Sequence, residues 1–399
     1  MNSNYLVGAM LGISLAFAPA KLEAQFNQFT IDGQTFQVHG FASQGYAGSN
    51  QNNYLTMDTS KGSFAFTDGG LNVTTSFGDK FRVGAQGYIR DVGQLGGGRF
   101  ELDWAFGDYK FKDWFGIRAG KVKTTLGLFT DTQDAESLHT WALLPQSIYP
   151  TDLRTSSIAH TGGDIYGEVS LKRAGTLNYT AYAGSRSNDT RSGYYFNTQD
   201  TGVPIKTFKG TLIGMDVRWN TPVSGLTVGT SFMDERDNIT GQYAAYGNVP
   251  YLITSDPNHA TAVYADYTRG KLRLNSELRI NKSIDNFTLL GNTSLANVGN
   301  KGWFASAAYR LTSRLELGAY NSRFYVDKPS TPEAAANHIF DQPISARFDL
   351  TRWWDWKVEG HFINGYGDLY SAHGFYLRSN PGGTKPATDL LIVRTGFYF

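Results

Sequence analysis

From Thr35 onward, apolar and polar side chains trade places at every second position, a period that calls for strands rather than amphipathic helices. Phe81, Val83, Ala85, Gly87 and Ile89 share one face, and Arg82, Gly84, Gln86, Tyr88 and Arg90 the other. The same division recurs in Leu177, Tyr179, Ala181 and Ala183, and again in Leu272, Leu274, Ser276 and Leu278. Each such segment is about ten residues long, the length a tilted strand needs to cross a hydrocarbon layer. Alternation alone also fits a soluble sandwich with one wet face, so the connections decide. Short links fall at 78–80, 112–114, 173–176, 221–225, 269–271, 311–314 and 351–355. Long polar links alternate with them, at 48–61, 91–98, 124–163, 187–210, 234–259, 280–301, 324–339 and 364–388. This rhythm is the mark of an all-β fold: a transmembrane, antiparallel, up-and-down β-barrel of roughly sixteen strands, with both termini at the tight-turn end.

The totals agree. With 36 Lys and Arg against 35 Asp and Glu, the charge gives no reason to expect a nucleic-acid partner. A chain with no cysteine has neither disulfides nor thiolate metal sites. Mean hydropathy is negative, at -0.34, although aromatics reach 14%, a pairing that suits strands with one apolar and one wet face. The only continuous apolar run, Tyr5 to Ala18, is too short for a spanning helix and sits where a signal-peptide core would. Residues 1–24 are therefore read as a leader cleaved after Ala20 or Ala24, and 25–399 as the barrel, although no Lys or Arg precedes the apolar core. Trp114, Trp219, Trp353, Trp354 and Trp356 all fall at or beside tight turns, as an interfacial girdle would require.

One connection stands apart. A strand from Phe115 to Lys123 runs into an irregular stretch, 124–163, rich in charge, Thr, Pro and His. A loop of that length is expected where it does functional work, and the reading is a loop folded into the lumen, narrowing a pore. The final strand places Leu391, Val393, Thr395, Phe397 and Phe399 on one face. This ending resembles the C-terminal signature of Gram-negative outer-membrane barrels, which implies recognition by the barrel-assembly machinery through Phe397 and Phe399. The lead-in Gly120-Lys-Val-Lys-Thr-Thr-Leu-Gly127 resembles the Gly-x-Phe-Lys-x-Pro-x-Gly segment of bacterial porins, the phosphate-selective porins among them. Val122 replaces the aromatic and Thr125 the proline, so the likeness is to the superfamily.

The resemblance implies an outer-membrane homotrimer surrounded by lipid that passes small hydrophilic solutes. It also implies a carboxylate-bearing loop opposed to a basic wall, with a transverse field at the narrowest point. The matching loop residues are Asp131, Asp134 and Glu136, joined by Asp152, Arg154 and His160; those on the wall are Arg82, Arg90, Arg118, Lys121 and Lys123. Strict alternation puts Lys121 on the face of Ile117 and Ala119 unless the strand twists or ends there. Inward positions carry a mildly basic balance and no ladder of Lys or Arg, which implies weak anion preference or little selectivity. A substrate-specific channel for phosphate, dicarboxylates or sugars is the alternative, with Tyr88, Tyr166, Tyr182 and Tyr264 as a stacking track. Asp152, Ser156, Ser157 and His160 are the residue types of a hydrolytic triad, but no Gly-x-Ser-x-Gly elbow frames either serine. The acidic run 131–136 lacks the spacing of a calcium loop, and Gly96-Gly-Gly98 lacks the strand-to-helix context of a phosphate cradle. Neither cofactor nor catalytic cycle is implied.

Overall fold

In hydrocarbon a strand's N–H and C=O groups can be satisfied only by neighbouring strands, so a sheet that crosses it has to close on itself. The computed structural model describes residues 27–367 and 374–399 and shows that closure; the leader 1–24 lies outside the described residues. The barrel strands are β1 (Gln34–Ser49), β2 (Ser63–Phe77), β3 (Phe81–Val92), β4 (Leu95–Lys112), β5 (Phe115–Lys123), β6 (Ala159–Ser170), β7 (Thr176–Ser187) and β8 (Ile205–Asn220). They continue as β9 (Leu226–Tyr243), β10 (Val249–Arg269), β11 (Leu272–Leu289), β12 (Asn300–Arg310) and β13 (Leu315–Val326). Strand β14 comes in two pieces, His338–Asp341 and Ile344–Thr351, followed by β15 (Trp354–Asn364) and β16 (Ala387–Tyr398). Each pairs antiparallel with the next, and β16 pairs back onto β1, from Leu390 opposite Ser49 to Tyr398 opposite Phe41. The sixteen-stranded barrel is thus as the sequence implies.

The outward face is apolar, with Leu71, Ile89, Phe100, Ile117, Val263 and Leu391 among the exposed side chains. Trp114, Trp219, Trp353 and Trp356 are also exposed, at the tight-turn end, and Trp354 stacks on Phe397 at 5.0 Å. Phe399 ends the ladder: its amide donates to the Gly40 carbonyl (3.0 Å) and its carbonyl accepts from the Gly40 amide (3.1 Å). Its ring lies where a Cβ on Gly40 would be.

Three of the links read as long polar loops are instead strand. Residues 91–98 contain only a two-residue turn, Gly93 and Gln94, between β3 and β4. Five residues, 244–248, separate β9 from β10, and a short strand, Asn292–Asn297, folds back on the end of β11. Strand β10 has 21 residues; at about 3.3 Å per residue and a 45° tilt it rises roughly 49 Å, about twice the ~25 Å apolar band. Above the lipid both faces meet water, so the pattern stops alternating while the ladder continues. On β9 the outward residues accordingly pass from Val228 and Phe232 to Asp234, Arg236 and Asn238. Gly96, Gly97 and Gly98 all have positive φ. At Gly97 a Cβ would overlap the guanidinium of Arg191, which donates to the Gly97 carbonyl.

Candidate functional site

After β5 the chain leaves the wall. Thr124 Oγ1 contacts His160 Nδ1 at 2.9 Å, and Gly127 adopts φ +93°, a conformation that favours glycine. The loop 124–158 then crosses the lumen with only short 3-10 turns, Glu136–Leu138 and Thr151–Ser156, so most of its amides and carbonyls need partners outside the loop backbone. The barrel wall supplies them. Glu277 accepts from the Leu128 amide (3.0 Å) and the Tyr149 hydroxyl. Glu359 accepts from the amides of Ala142 (3.2 Å) and Leu143 (3.1 Å), and Glu316 accepts from the Thr140 hydroxyl.

Wall cations donate to loop carbonyls in the same manner. Arg279 reaches Leu126 and Ile148, Arg347 reaches Ser137 and His139, and Lys357 reaches Glu136 and Trp141. Arg273 donates to the Leu138 carbonyl and Arg394 to that of Ala142. Apolar contacts finish the seat. Leu126 packs among Tyr182, Leu212, Met233 and Ala260, and Phe129, Ile148 and Tyr149 pack on Phe304.

The loop's acidic run reaches from one side of the barrel to the other. Asp131 meets Arg218 of β8 at 3.2 Å. Asp134 meets Arg154 at 2.7 Å and Lys123 at 3.6 Å. Glu136 meets Arg394 of β16 at 2.9 Å and Lys357 of β15 at 3.6 Å. Three carboxylates thus point at separate cations and do not converge on one point. Arg154 is the hub on the loop, gripping Asp103 of β4 at 2.8 Å as well as Asp134, with its guanidinium 3.7 Å above the Tyr88 ring. Burial alone would raise the Asp134 carboxyl, but Arg154 and Lys123 hold it below the usual range.

The remaining sequence candidates fall elsewhere. Arg82 and Arg118 each pair at 3.0 Å with a carboxylate of their own wall, Asp108 and Asp164. Arg90 is buried and donates to the Thr151 carbonyl at 2.7 Å. Lys121 is not on the lumen wall: it stays on the face of Ile117 and Ala119, donating to the Leu102 carbonyl beside exposed Leu102. Lys123, at the strand's end, turns to the loop and donates to the Asp131 carbonyl at 2.9 Å. His160 lies on β6 against the Tyr182 ring, 5.2 Å between centroids. Asp152 is fully buried and accepts from the Tyr376 hydroxyl and the Gly374 amide. Burial pushes its carboxyl up to about 6. The sequence neighbours Asp152, Ser156, Ser157 and His160 are not joined by hydrogen bonds among the described residues: Asp152 accepts from Tyr376 and Gly374, Ser157 Oγ donates to the Arg154 carbonyl, His160 Nδ1 meets Thr124 Oγ1, and Ser156 is buried apart from them.

The tyrosines do not form a track. Tyr88, Tyr166 and Tyr264 spend their hydroxyls on Asp68, Asp108 and Asp216, and Tyr182 is buried in the cluster around Leu126. A feature with no sequence signal closes one side of the mouth. Tyr54, Leu55 and Met57 from the first loop, Phe196 from the helix Gly193–Asp200, and Phe375 and Tyr376 pack with Leu143 and Leu153 into one apolar cluster. Arg378 locks it, pairing with Asp200 at 2.9 Å beneath the Phe196 ring. Water retains access toward the tight turns: Arg82 and Asp131 keep 47% and 48% of their side-chain surface, and Arg118, Arg218, Arg273, Arg310 and Asp266, all near the tight-turn ends of their strands, are part exposed.

No family model matches the chain, and no curated protein matches it. Solved structures do. OmpT, an outer-membrane protein of Vibrio cholerae, superposes with a TM-score of 0.57 at 12% identity over 93% of this chain and 100% of that one. The outer-membrane channel DcaP of Acinetobacter baumannii gives 0.55 at 12% identity, over 93% and 99%. The anion-selective porin of Comamonas acidovorans gives 0.55 at 11% identity, over 92% and 100%. At these identities the likeness is one of fold alone: a closed, sixteen-stranded antiparallel barrel.

Proposed function

We propose that this barrel is a water-filled channel of a Gram-negative outer membrane, passing small hydrophilic solutes and ions by passive diffusion. The observation that carries the reading is a closed barrel, apolar outside and ionic inside, crossed by a loop whose charges are fixed by wall partners. A pore lined by fixed charges selects by the sign of those left exposed, because a partly dehydrated passage strengthens each of them. Among the described residues the cations Arg82, Arg118, Arg218, Arg273 and Arg310 outnumber the more exposed carboxylates Asp131, Glu168 and Asp266, which supports weak anion preference or little selectivity. Conductance and reversal potential in a planar bilayer test this. Replacing Asp131, Asp134 and Glu136 by Asn or Gln is expected to raise anion preference, since Arg218, Arg154, Arg394 and Lys357 each lose one carboxylate partner while Arg218, Arg154 and Arg394 keep Asp216, Asp103 and Asp68. An unchanged reversal potential removes the loop from the selectivity of the pore.

A substrate-specific channel is the second reading, favoured by the density of fixed ion pairs where the loop crosses. Saturating flux and block by a single solute separate it from a general pore, which conducts in proportion to bulk salt. The same reading includes a cleaved leader, insertion by the barrel-assembly machinery through the Phe397 and Phe399 ending, and a homotrimer. One solved form of the Vibrio cholerae OmpT is a trimer.

A further inference from the structure

The ladder breaks once on the lipid-facing side in a way that leaves a hollow. Strand β14 skips Gln342 and Pro343: Asp341 pairs with Ser322 and Ile344 with Ala319. Three alanines on the outward face, Ala305, Ala307 and Ala319, sit opposite this break, and with Ile344 and Phe362 they leave a groove of about 650 Å³. At its upper end are two carboxamides, Asn321 and Gln342, and a cation. Arg323 donates from Nε to Asn321 Oδ1 at 2.9 Å and lies 4.2 Å above the Phe340 ring. Lys301, one outward step from Trp303, is exposed beside it. Among the described residues neither cation has a carboxylate partner.

Height decides what can fill the groove. From the tight turn at Arg314 to Arg323 a strand tilted by 45° climbs roughly 21 Å, which places the guanidinium near the outer edge of the apolar band. Below it the hollow is lined by methyl groups; an empty hollow there would forfeit dispersion contacts, so a hydrocarbon chain occupies it. Above it two cations and two amides on the membrane side of the wall need oxygen partners that hydrocarbon does not supply. A ligand with an acyl chain attached to a phosphate meets both demands, because guanidinium and ammonium groups pair with phosphate oxygens. We propose that this groove is a specific site for a phosphorylated, acylated saccharolipid of the outer leaflet, with one chain over Ala305, Ala307 and Ala319 and a phosphate on Arg323 and Lys301.

The test is native mass spectrometry of the barrel released from mild detergent after incubation with a purified, bis-phosphorylated, hexa-acylated disaccharide lipid. A monogalactosyl diacylglycerol, which has chains but no phosphate, serves as the control. The wild type is expected to retain one copy of the phosphorylated lipid and not the control. Lys301→Gln with Arg323→Gln removes the phosphate contact, and Ala307→Phe fills the hollow; each is expected to lower retention at least tenfold. Unchanged conductance and heat-modifiable gel mobility show that these barrels are folded, since none of the three positions faces the lumen. Equal retention by wild type and variants, or equal retention of the galactolipid, overturns the site.

Discussion

Arg154 ties the loop to the wall through one guanidinium. It is held between two buried carboxylates, Asp103 and Asp134, and over an aromatic face, and losing one partner of a buried ion pair costs about 3–5 kcal/mol because the remaining charge is stranded. Arg154→Leu is therefore expected to unseat the loop, raising single-channel conductance and lowering the temperature at which the barrel loses its compact gel mobility. Arg154→Lys, a point charge without the fork, is expected to fall between. Asp152 behaves differently because, among the described residues, no cation forms an ion pair with it. Its carboxyl, raised by burial to about 6, favours the protonated form in the folded loop. The sign follows from linkage: the buried seat of Asp152 is most stable below about pH 4 and is destabilised as pH rises through about 6, by a term on the order of 3 kcal/mol, because burial of the charge outweighs the hydrogen bonds from Tyr376 and Gly374 that favour it. Hydrogen exchange of residues 374–380, corrected for the intrinsic rate, is expected to slow as pH falls from 7 to 4, and Asp152→Asn is expected to flatten that dependence.

At the scale of elements, the loop 124–158 is held mainly by wall groups that would otherwise line open water. Glu359 is one such group, accepting from two consecutive loop amides while His361 Nε2 lies 2.9 Å from its Oε1. Glu359→Gln keeps the shape and removes the charge, and hydrogen bonds to charged groups contribute about 1.5–3 kcal/mol each. Faster exchange at the Ala142 and Leu143 amides, with noisier single-channel current, is the expected outcome. The strands, their number and the place of this loop are legible in the sequence, because a two-residue period and the lengths of links are local properties. The pairing of each loop charge is not, because ions that meet across a lumen are far apart along the chain. Asp134 is 20 residues from Arg154 in sequence, whereas Glu136 and Arg394 come from opposite halves of the chain. Tops of strands also escape such a reading: β9, β10 and β11 rise beyond lipid, where nothing enforces alternation. Lys121 is the opposite case, since alternation itself places it outside the lumen.

The whole barrel is lopsided. Loops fill the mouth over β13 to β16 and β1 to β4, where an apolar cluster joins four separate loops, and water reaches the tight-turn ends of β3, β5, β8 and β11, where Arg82, Arg118, Arg218 and Arg273 stay part exposed. The absence of native cysteine makes the asymmetry directly measurable. A cysteine at Arg82, on the wetted side, is expected to react with a small charged thiol reagent at least a hundredfold faster than one at Lys357, which is fully buried beneath the loop. Similar rates at the two positions mean that the lumen is open all round. The overhang of β8 to β11 adds a further consequence. Hydrogen-bonded sheet stands above the lipid on that flank and side-chain-packed loops on the other, so the rim is braced by backbone on one side and by buried rings on the other. A substitution in the cluster therefore alters one side of the entrance and leaves the opposite wall standing.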